Sequence, residues 1–157
     1  MVEYEKAQIC ENGHVISMKS SRSKTYKFCS TCGAKILDAC PKCHAPFIGE
    51  PKNMEAAYLV NIKPSAYCYE CGELYPWTER QIEAVAEEIK LEMELTEQQQ
   101  KEAIAILPDL VREATTTRAN ARKLKKILGF IGKTAAATLI EQILVFSCSA
   151  AKAVFLG

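Results

Sequence analysis

FCSTCGAKILDACPKC, residues 28–43, decides the fold because it holds two Cys-x-x-Cys pairs close together. A third pair follows downstream, and the three pairs are Cys29/Cys32, Cys40/Cys43 and Cys68/Cys71. Structural zinc is bound tetrahedrally by four ligands, commonly supplied as two such pairs. Three pairs fill one site and half of a second. The pattern therefore predicts a fourth pair of ligands elsewhere in the chain.

The stretch CENGHVIS, residues 10–17, supplies that fourth pair. Asn-Gly is a strong turn former because both residues tolerate a positive φ, so this turn would bring the Cys10 thiolate and the His14 imidazole together. The imidazole reaches farther than a thiolate, which suits the three-residue spacer. The alternative is a buried Cys10 thiol beside an exposed His14. The predicted metal ligands are Cys10, His14, Cys29, Cys32, Cys40, Cys43, Cys68 and Cys71.

Two glycines and a proline strengthen the prediction of zinc knuckles. Gly33 and Gly72 directly follow the second cysteine of their pairs, where the backbone turns sharply and glycine carries no Cβ penalty. Pro41 fixes φ inside another pair. We expect two Zn²⁺ ions, each with four protein ligands. Such sites have no open position for water or substrate, so both are expected to be structural.

The sequence leaves two ways of dividing the ligands between the metals. Sequential ribbons combine the first two ligand pairs in one site and the last two in the other, with residues 33–39 as the connecting strand. A cross-braced arrangement, as in RING domains, combines the first pair with the third and the second with the fourth. RING domains keep their middle pairs closer together than Cys32 and Cys40 are here, which favours the sequential arrangement.

The cysteine count bears on the cellular compartment. Eight cysteines in 157 residues indicate either a disulfide framework or metal sites. No apolar signal segment opens the chain, so we expect a cytoplasmic, reduced protein in which metal explains the cysteines. We expect Cys148, in an apolar helical segment, to belong to the core. Because both sites are full, we expect His44 to lie outside the coordination sphere.

Charge is distributed unevenly along the chain. Residues 1–77 carry nine basic and eight acidic side chains, residues 78–110 three and nine, and residues 111–157 eight and two. An acidic helical stretch thus precedes a basic one, which favours packing between them or contact with different partners. Seven thiolates and two Zn²⁺ would move the first segment from +1 to about −2, which argues against phosphate binding by the ribbons.

Helical periodicity begins after Trp77. Thr78 and Gln81 form a candidate capping box, and apolar residues at helical spacing predict a helix over residues 79–94 that includes Met93 in its apolar face. Thr96 and Gln99 repeat the capping box and predict a second helix. Pro108 should end or kink that helix because its ring removes an N–H group.

Two further helices are predicted towards the end of the sequence. Residues 118–133 form a basic amphipathic helix, with Thr117 as its candidate cap and Gly129 and Gly132 as weak points. Residues 134–156 are apolar on nearly every face, which is typical of a helix buried all round.

Three interpretations of this helical half compete. One is a helical bundle or oligomer interface, with the last helix at its centre and the acidic first helix against the basic stretch. A second is a membrane-active segment, in which a basic helix and an apolar one form an interfacial anchor. Only ten residues separate Glu141 from Lys152, fewer than a membrane span requires. A third is nucleic-acid binding, and the residues for a membrane or nucleic-acid surface are Arg118, Arg122, Lys123, Lys125 and Lys126.

Three motif strings resemble a bacterial zinc-ribbon family of unknown function. They are ICENGHVIS, FCSTCGAKILDACPKCHAPFIG and YCYECGELYPWTERQIEA, followed by a charged helical tail. The similarity covers residues 9–84, and the rest matches in general character. The resemblance implies a cytoplasmic bacterial protein with two ribbons and no assigned catalytic residues, acting in a stress or defence module.

These observations predict an α+β protein with two domains. Residues 1–77 form a tandem zinc-ribbon domain, and residues 78–157 form a helical oligomerisation or partner-binding region. We expect no enzymatic activity, because no paired acid and base, Ser/His/Asp set or phosphate loop is recognisable, and the only two histidines lie at or beside a metal site. The expected function is a zinc-binding scaffold or adaptor with a protein partner or self-association. The alternatives are a membrane-active effector and a nucleic-acid-binding ribbon protein.

Overall fold

The computed structural model describes residues 3–19, 26–52 and 63–157. The chain divides into two compact units, Met1–Glu79 and Arg80–Gly157. Short β-strands occupy the first unit and α-helices dominate the second, which confirms the predicted α+β class. The sequence of residues 57–62 also predicts a strand, and this stretch lies outside the described residues.

The first unit contains two small antiparallel sheets. Strand β2 (Gln8–Cys10) lies between β3 (Val15–Ser17) and β4 (Ile36–Leu37). Strand β1 (Tyr4–Lys6) pairs with β5 (Ile48–Pro51). Sheets this small bury little apolar surface and have marginal stability on their own. The first unit therefore needs another source of stability.

An aromatic cluster forms the apolar core of the first unit. Phe47 meets Tyr75 and Trp77 edge-on, with ring centroids 5.0 and 5.4 Å apart, and Tyr75 lies 4.6 Å from Trp77. Ala7 and Ile9 complete the buried set together with two cysteines. Four aromatic residues lie close to the Cys68/Cys71 pair in the sequence, and they differ in burial. Tyr75 and Trp77 are buried, whereas Tyr67 and Tyr69 are exposed.

Helix α1 (Pro76–Leu91) begins three residues earlier than predicted. Proline suits the first turn of a helix because its missing N–H needs no partner there and its φ is already helical. The carbonyl of Tyr75 accepts from the N–H groups of Thr78 and Glu79, so Thr78 lies inside the first turn and the capping box predicted at Thr78 and Gln81 is wrong. The helix also ends early, which leaves Met93 97% exposed instead of in the apolar face.

Helix α2 (Glu97–Ile106) starts as the sequence predicts. Thr96 is its N-cap and forms the reciprocal capping box with Gln99. A 3₁₀ turn over Leu107–Leu110 follows, with Pro108 in its first positions, because proline cannot continue the α-helical hydrogen-bond pattern. The predicted end of the second helix at Pro108 is thus confirmed.

Helix α3 (Thr117–Leu128) is the central helix of the second unit. It packs against α2, the 3₁₀ turn and the last helix, α5 (Ser149–Leu156), and its apolar face is buried there. The helix is shorter than the predicted span to residue 133, because it ends at Gly129. Its N-cap residue is Thr116, so the cap predicted at Thr117 is also wrong.

The apolar stretch after Gly132 forms two helices instead of the predicted single one. Helix α4 (Lys133–Phe146) and helix α5 (Ser149–Leu156) are separated by an extended Ser147 and Cys148. Helix α4 buries only one face, and Val145 on its other face is 55% exposed. Alanine and threonine tolerate water, so an apolar composition did not require burial all round. The central position expected for this segment belongs to α3.

An ion pair joins the acidic and basic stretches of the second unit. Lys123 of α3 lies 3.3 Å from Glu102 of α2. Gln98 and Lys123 lower the pKa of the Glu102 carboxyl by hydrogen bonding to it. The acidic partner of α3 in this pair is therefore on α2, whereas the sequence suggested α1.

The length and apolarity of the helices determine whether any of them could cross a membrane. None of them, within residues 3–19, 26–52 and 63–157, is long and apolar enough to span a bilayer.

Candidate metal centres

Four turns of the first unit present the eight predicted ligands. In three of them, isolated β-bridges flank a Cys-x-x-Cys pair, joining Phe28 to Lys35, Ala39 to Pro46 and Tyr67 to Leu74. The N–H of the first cysteine donates to the carbonyl five residues later, at 2.8 Å in each of the three. Each pair is therefore held in the same tight hairpin, which points both sulfurs to one side.

The turn at Cys10 closes in a different way. The Gly13 N–H donates to the Cys10 carbonyl at 2.8 Å, and the Cys10 N–H donates to the His14 carbonyl at 3.0 Å. Gly13 has a φ of 87°, the left-handed conformation that the Asn-Gly pair was expected to allow. The turn places the thiol and the imidazole on the same side of the chain, as the sequence predicts.

The first cluster consists of Cys10, His14, Cys29 and Cys32, whose donor atoms all lie within 4.8 Å of one another. Cys10 Sγ is 3.5 Å from His14 Nδ1 and 3.7 Å from Cys32 Sγ. Cys29 Sγ is 3.7 Å from the same imidazole nitrogen. The histidine therefore faces the cluster through Nδ1.

The second cluster consists of Cys40, Cys43, Cys68 and Cys71, again with all donor atoms within 4.8 Å. Cys40 Sγ is 3.9 Å from Cys71 Sγ, and Cys43 Sγ is 3.6 Å from Cys68 Sγ. The two clusters combine ligand pairs in the sequential order, and neither has the cross-braced composition.

These distances can be compared with a tetrahedron of ligands. With Zn–S bonds of ~2.3 Å and Zn–N bonds of ~2.0 Å, tetrahedral geometry requires S···S edges of about 3.8 Å and S···N edges of about 3.5 Å. The observed edges lie close to both values. Disulfide bonding requires sulfurs about 2.05 Å apart, so the same distances exclude it and all eight cysteines are free. Both clusters could hold a metal ion.

Backbone N–H groups point at the cluster sulfurs. The His14 N–H donates to Cys10 Sγ at 3.3 Å, and the Glu70 N–H donates to Cys68 Sγ at 3.4 Å. Hydrogen bonds of this kind stabilise a thiolate, which is the form that binds metal. The turns thus orient the sulfurs and also favour their charged state.

One thiol in each cluster is acidic. Burial raises the pKa of Cys29, but N–H groups of Thr31 and Cys32 lower it more, to about 6. Burial likewise raises the pKa of Cys68, and N–H groups of Cys71 and Glu70 bring it to about 6. Each cluster therefore holds one thiol that is ionised at neutral pH even without a cation.

Another thiol in each cluster has a raised pKa. In the second cluster, the Ala45 N–H lowers the pKa of Cys43, but burial and the neighbouring thiols raise it to about 12. Burial raises the pKa of Cys10 in the first cluster. Closely spaced thiolates repel one another, and a divalent cation between them removes that repulsion.

The remaining predicted residues lie away from both clusters. His44 is exposed, follows Cys43 and belongs to neither cluster. Cys148 is half-buried at the N-cap of α5, so it is not the core residue that we expected. The five basic residues of α3 are exposed on the second unit and take no part in the clusters, and they are Arg118, Arg122, Lys123, Lys125 and Lys126.

Sequence reasoning missed two structural roles in the first unit. Phe47 carries the aromatic core, although nothing in its local pattern distinguished it. His44 has a φ of 62° and occupies the position that Gly33 and Gly72 hold in the other Cys-x-x-Cys turns. Aligning the three pairs on their second cysteines would have revealed this equivalence.

The fold and the two clusters define a class of protein. It is an α+β chain in which cysteine clusters compatible with tandem zinc ribbons precede a helical unit. The chain belongs to the family described as "Uncharacterized protein conserved in bacteria (DUF2321)", whose model matches residues 3–154. This confirms the resemblance to an uncharacterised bacterial family and extends it through the helical half. No curated protein and no solved structure matches the chain.

Proposed function

We propose that this protein is a non-catalytic zinc-binding adaptor. Two structural Zn²⁺ ions fix the surface of the first unit, and the helical unit mediates self-association or docks a protein partner. The setting in a bacterial stress or defence module is part of the proposal and is carried over from the family resemblance. Its main support is that the four protein donors of each cluster all lie within 4.8 Å of one another, with three edges of the first cluster and two of the second at 3.5–3.9 Å, as a tetrahedral site requires.

The donor sets favour zinc and a structural role. Thiolate and imidazole are the ligands that Zn²⁺ prefers, and Cys₄ and Cys₃His sets are typical of structural sites. The ion would neutralise charge between thiolates and tie together turns that are distant in sequence. Four protein ligands fill a tetrahedral ion, so neither site offers a position for substrate activation.

Exposed apolar side chains support an interaction role for the first unit. Tyr26 and Phe28 are 59% and 63% exposed, and Tyr67 and Tyr69 lie at the surface beside the second cluster. Aromatic residues are enriched where proteins contact one another, because they provide large contact areas at a small entropic cost. We therefore propose a protein as the partner of this unit.

Native mass spectrometry of the zinc-loaded full chain tests the proposal. The expected result is two zinc ions per chain, in a homo-oligomer or in a complex recovered with a host protein. His14→Ala should lose tight binding of one zinc, because an alanine leaves three ligands in the first cluster. His44→Gly is the matched control. It also removes a histidine beside a cluster cysteine, yet it should retain both zinc ions.

Three sets of results would overturn the proposal. A wild-type chain that folds without metal, or whose thiols form disulfides, would remove its basis. Flotation of the zinc-loaded chain with liposomes, together with leakage of their contents, would instead support a membrane-active effector. Zinc binding by a chain that neither self-associates nor captures a protein would retain the metal sites and reject the adaptor.

A further inference from the structure

A basic groove runs along α3 in the second unit. It has a volume of 380 Å³ and is open to solvent. Its cationic wall comes from α3 and its opposite wall from the end of α5. The lining residues are Arg118, Arg122, Lys125, Ala153, Val154 and Gly157.

The two exposed flanks of α3 differ in how their charges are balanced. On the α2 side, Lys123 pairs with Glu102 at 3.3 Å. On the α5 side, no acidic side chain among the described residues lines the groove. Residues 111–157 contain only two acidic residues, Glu113 and Glu141. Even if Gly157 carries a terminal carboxylate, the three cations leave this flank with a charge of about +2.

One of the three cations is fixed by the fold. Lys125 Nζ donates to the carbonyl of Val154 at 2.9 Å and to that of Phe155 at 3.3 Å. These contacts hold the cation at the C-terminal end of α5, where helix carbonyls lack partners within the helix. Arg118 and Arg122 have no described side chain as an ion-pair partner in residues 63–157. Their guanidinium groups are therefore available to an external anion.

The cations form a row instead of a single cage. Helix geometry places Arg118 and Arg122 one turn apart and Lys125 a further turn along, so the row is about 10 Å long. A row of this length matches a chain of linked phosphates better than one small anion. Guanidinium groups suit phosphate because their N–H donors match its oxygens in pairs.

The shape of the groove favours a strand over a lipid surface. Its apolar lining consists of Ala153 and Val154, whereas interfacial helices insert large apolar residues beside their basic ones. The large apolar residues of α3, such as Leu124 and Leu128, are buried inside the second unit. Within residues 3–19, 26–52 and 63–157, no aromatic ring lines the groove, so contacts would be made to the backbone and not to the bases.

We infer that this groove binds the phosphodiester backbone of a nucleic acid without reading its sequence. The recognition is electrostatic and uses Arg118, Arg122 and Lys125. This inference is independent of the zinc sites and adds a second ligand class to the proposed adaptor. The two proposals can therefore fail separately.

Binding of the zinc-loaded full chain to a short single-stranded RNA, measured by fluorescence anisotropy against salt, tests the inference. Three phosphate contacts predict a slope of log affinity against log salt of about −2, and the loss of two contacts reduces it to about −0.7. Arg118→Gln combined with Arg122→Gln should therefore weaken binding at least ~10-fold at about 50 mM salt. RNAs of different sequence should bind equally well.

The matched control is Lys101→Gln combined with Lys133→Gln. Both lysines are exposed on the second unit outside the groove, so this variant has the same net charge as the arginine variant. It should retain the salt slope of the wild type. Circular dichroism should show that both variants keep their helices.

Three results would overturn the inference. One is the absence of RNA binding at low salt. Another is an arginine variant that binds RNA as well as the lysine control does. The third is a wild-type chain that associates with phosphatidylserine vesicles or inorganic phosphate but not with RNA, since that would assign the groove to a lipid headgroup or a free ion.

Discussion

At the residue scale, the position after each Cys-x-x-Cys pair has the same backbone geometry. Gly33, His44 and Gly72 have φ values of 70°, 62° and 73°. Each donates its N–H to the carbonyl of the first cysteine in its pair, at 2.8–3.0 Å. A left-handed φ costs a residue with a Cβ about 1–2 kcal/mol relative to its right-handed conformation. His44 therefore carries backbone strain that the two glycines avoid.

We expect His44→Gly to raise stability by about 0.5–1 kcal/mol. Glycine removes the Cβ penalty but loses more chain entropy on folding, which reduces the gain. The measurement is denaturant unfolding at a fixed free-zinc concentration. Gly72→Ala is the control in the same cluster. A Cβ added at Gly72 meets no atom within 4 Å, so this variant should lose about 1 kcal/mol of unfolding free energy because of its left-handed φ alone. A stability loss in His44→Gly would contradict this account.

The acidity of Cys29 and Cys68 predicts a change in the pH dependence of metal binding. A ligand must lose its proton to bind metal, so affinity falls as pH falls. Above about pH 6 these two thiols are already ionised and add no proton competition. Below about pH 6, metal binding must displace one more proton from each cluster. The slope of log affinity against pH should therefore increase by about one. Competition with a chromophoric chelator measures this, and a constant slope through pH 6 would refute it.

The residues of the two clusters were predictable from sequence because each turn is local. A Cys-x-x-Cys pair or an Asn-Gly turn fixes its own geometry over a few residues, and the chemistry of Zn²⁺ requires the pairs to meet in twos. The strain at His44 was not predicted, because we considered its imidazole only as a candidate ligand. Its backbone depends on the hairpin shared with Cys40 and Cys43.

At the element scale, the first turn of α1 packs against the Cys10 turn. A Cβ built on Gly13 would lie 3.1 Å from Trp77 Cβ and 3.3 Å from Trp77 Cγ. The helix start and the first cluster are therefore packed so closely that a side chain at Gly13 requires Trp77 to shift by a few tenths of an ångström. Proline at residue 76 explains why the helix begins early enough to place Trp77 there.

We expect Gly13→Ala to destabilise the first cluster more than Gly33→Ala does. Both substitutions place a residue with a Cβ at a left-handed φ, which is strained. The Cβ added at Gly33 meets no atom within 4 Å, whereas the Cβ added at Gly13 contacts Trp77. The difference should be about 1 kcal/mol, or roughly fivefold in the zinc affinity of that cluster. Zinc titration of the two variants measures it. Equal affinities would show that Trp77 moves aside at no cost.

Helix ends were harder to predict than helix existence. Thr96 and Gln99 form the predicted capping box, because the local hydrogen bonds are all that the start of α2 requires. The break between α4 and α5 was missed, because an apolar pattern continues through Ser147 and Cys148. It is accompanied by a tertiary contact, a hydrogen bond of 2.8 Å from the Cys148 N–H to the Leu110 carbonyl. Sequence periodicity contains no information about such a contact.

At the scale of the whole molecule, the two units are stabilised in different ways. The first buries a small cluster of apolar residues around Phe47 and Trp77 and has short sheets. The second buries large side chains from several helices, including Leu107, Leu124 and Ile143. Structural zinc contributes about 10 kcal/mol or more in small metal-dependent folds. We therefore expect the first unit to depend on bound metal, whereas the second has an apolar core of its own.

Chelation should accordingly unfold the first unit and spare the second. Trp77 is the only tryptophan and lies in the core of the first unit, so its fluorescence should shift to longer wavelength as zinc is removed. The far-ultraviolet circular dichroism signal of the helices should persist, and added zinc should restore the fluorescence. Simultaneous loss of both signals would indicate a single cooperative fold.

Cys148 lies outside both clusters, and this gives a way to count occupied centres. Seven of the eight sulfurs would be bonded to zinc in the loaded chain and shielded from alkylation, leaving at most this one to react. Removing one ion would release three or four more, depending on which centre empties. The mass added by iodoacetamide would then report, for each molecule, how many ions it held and which of them it had lost.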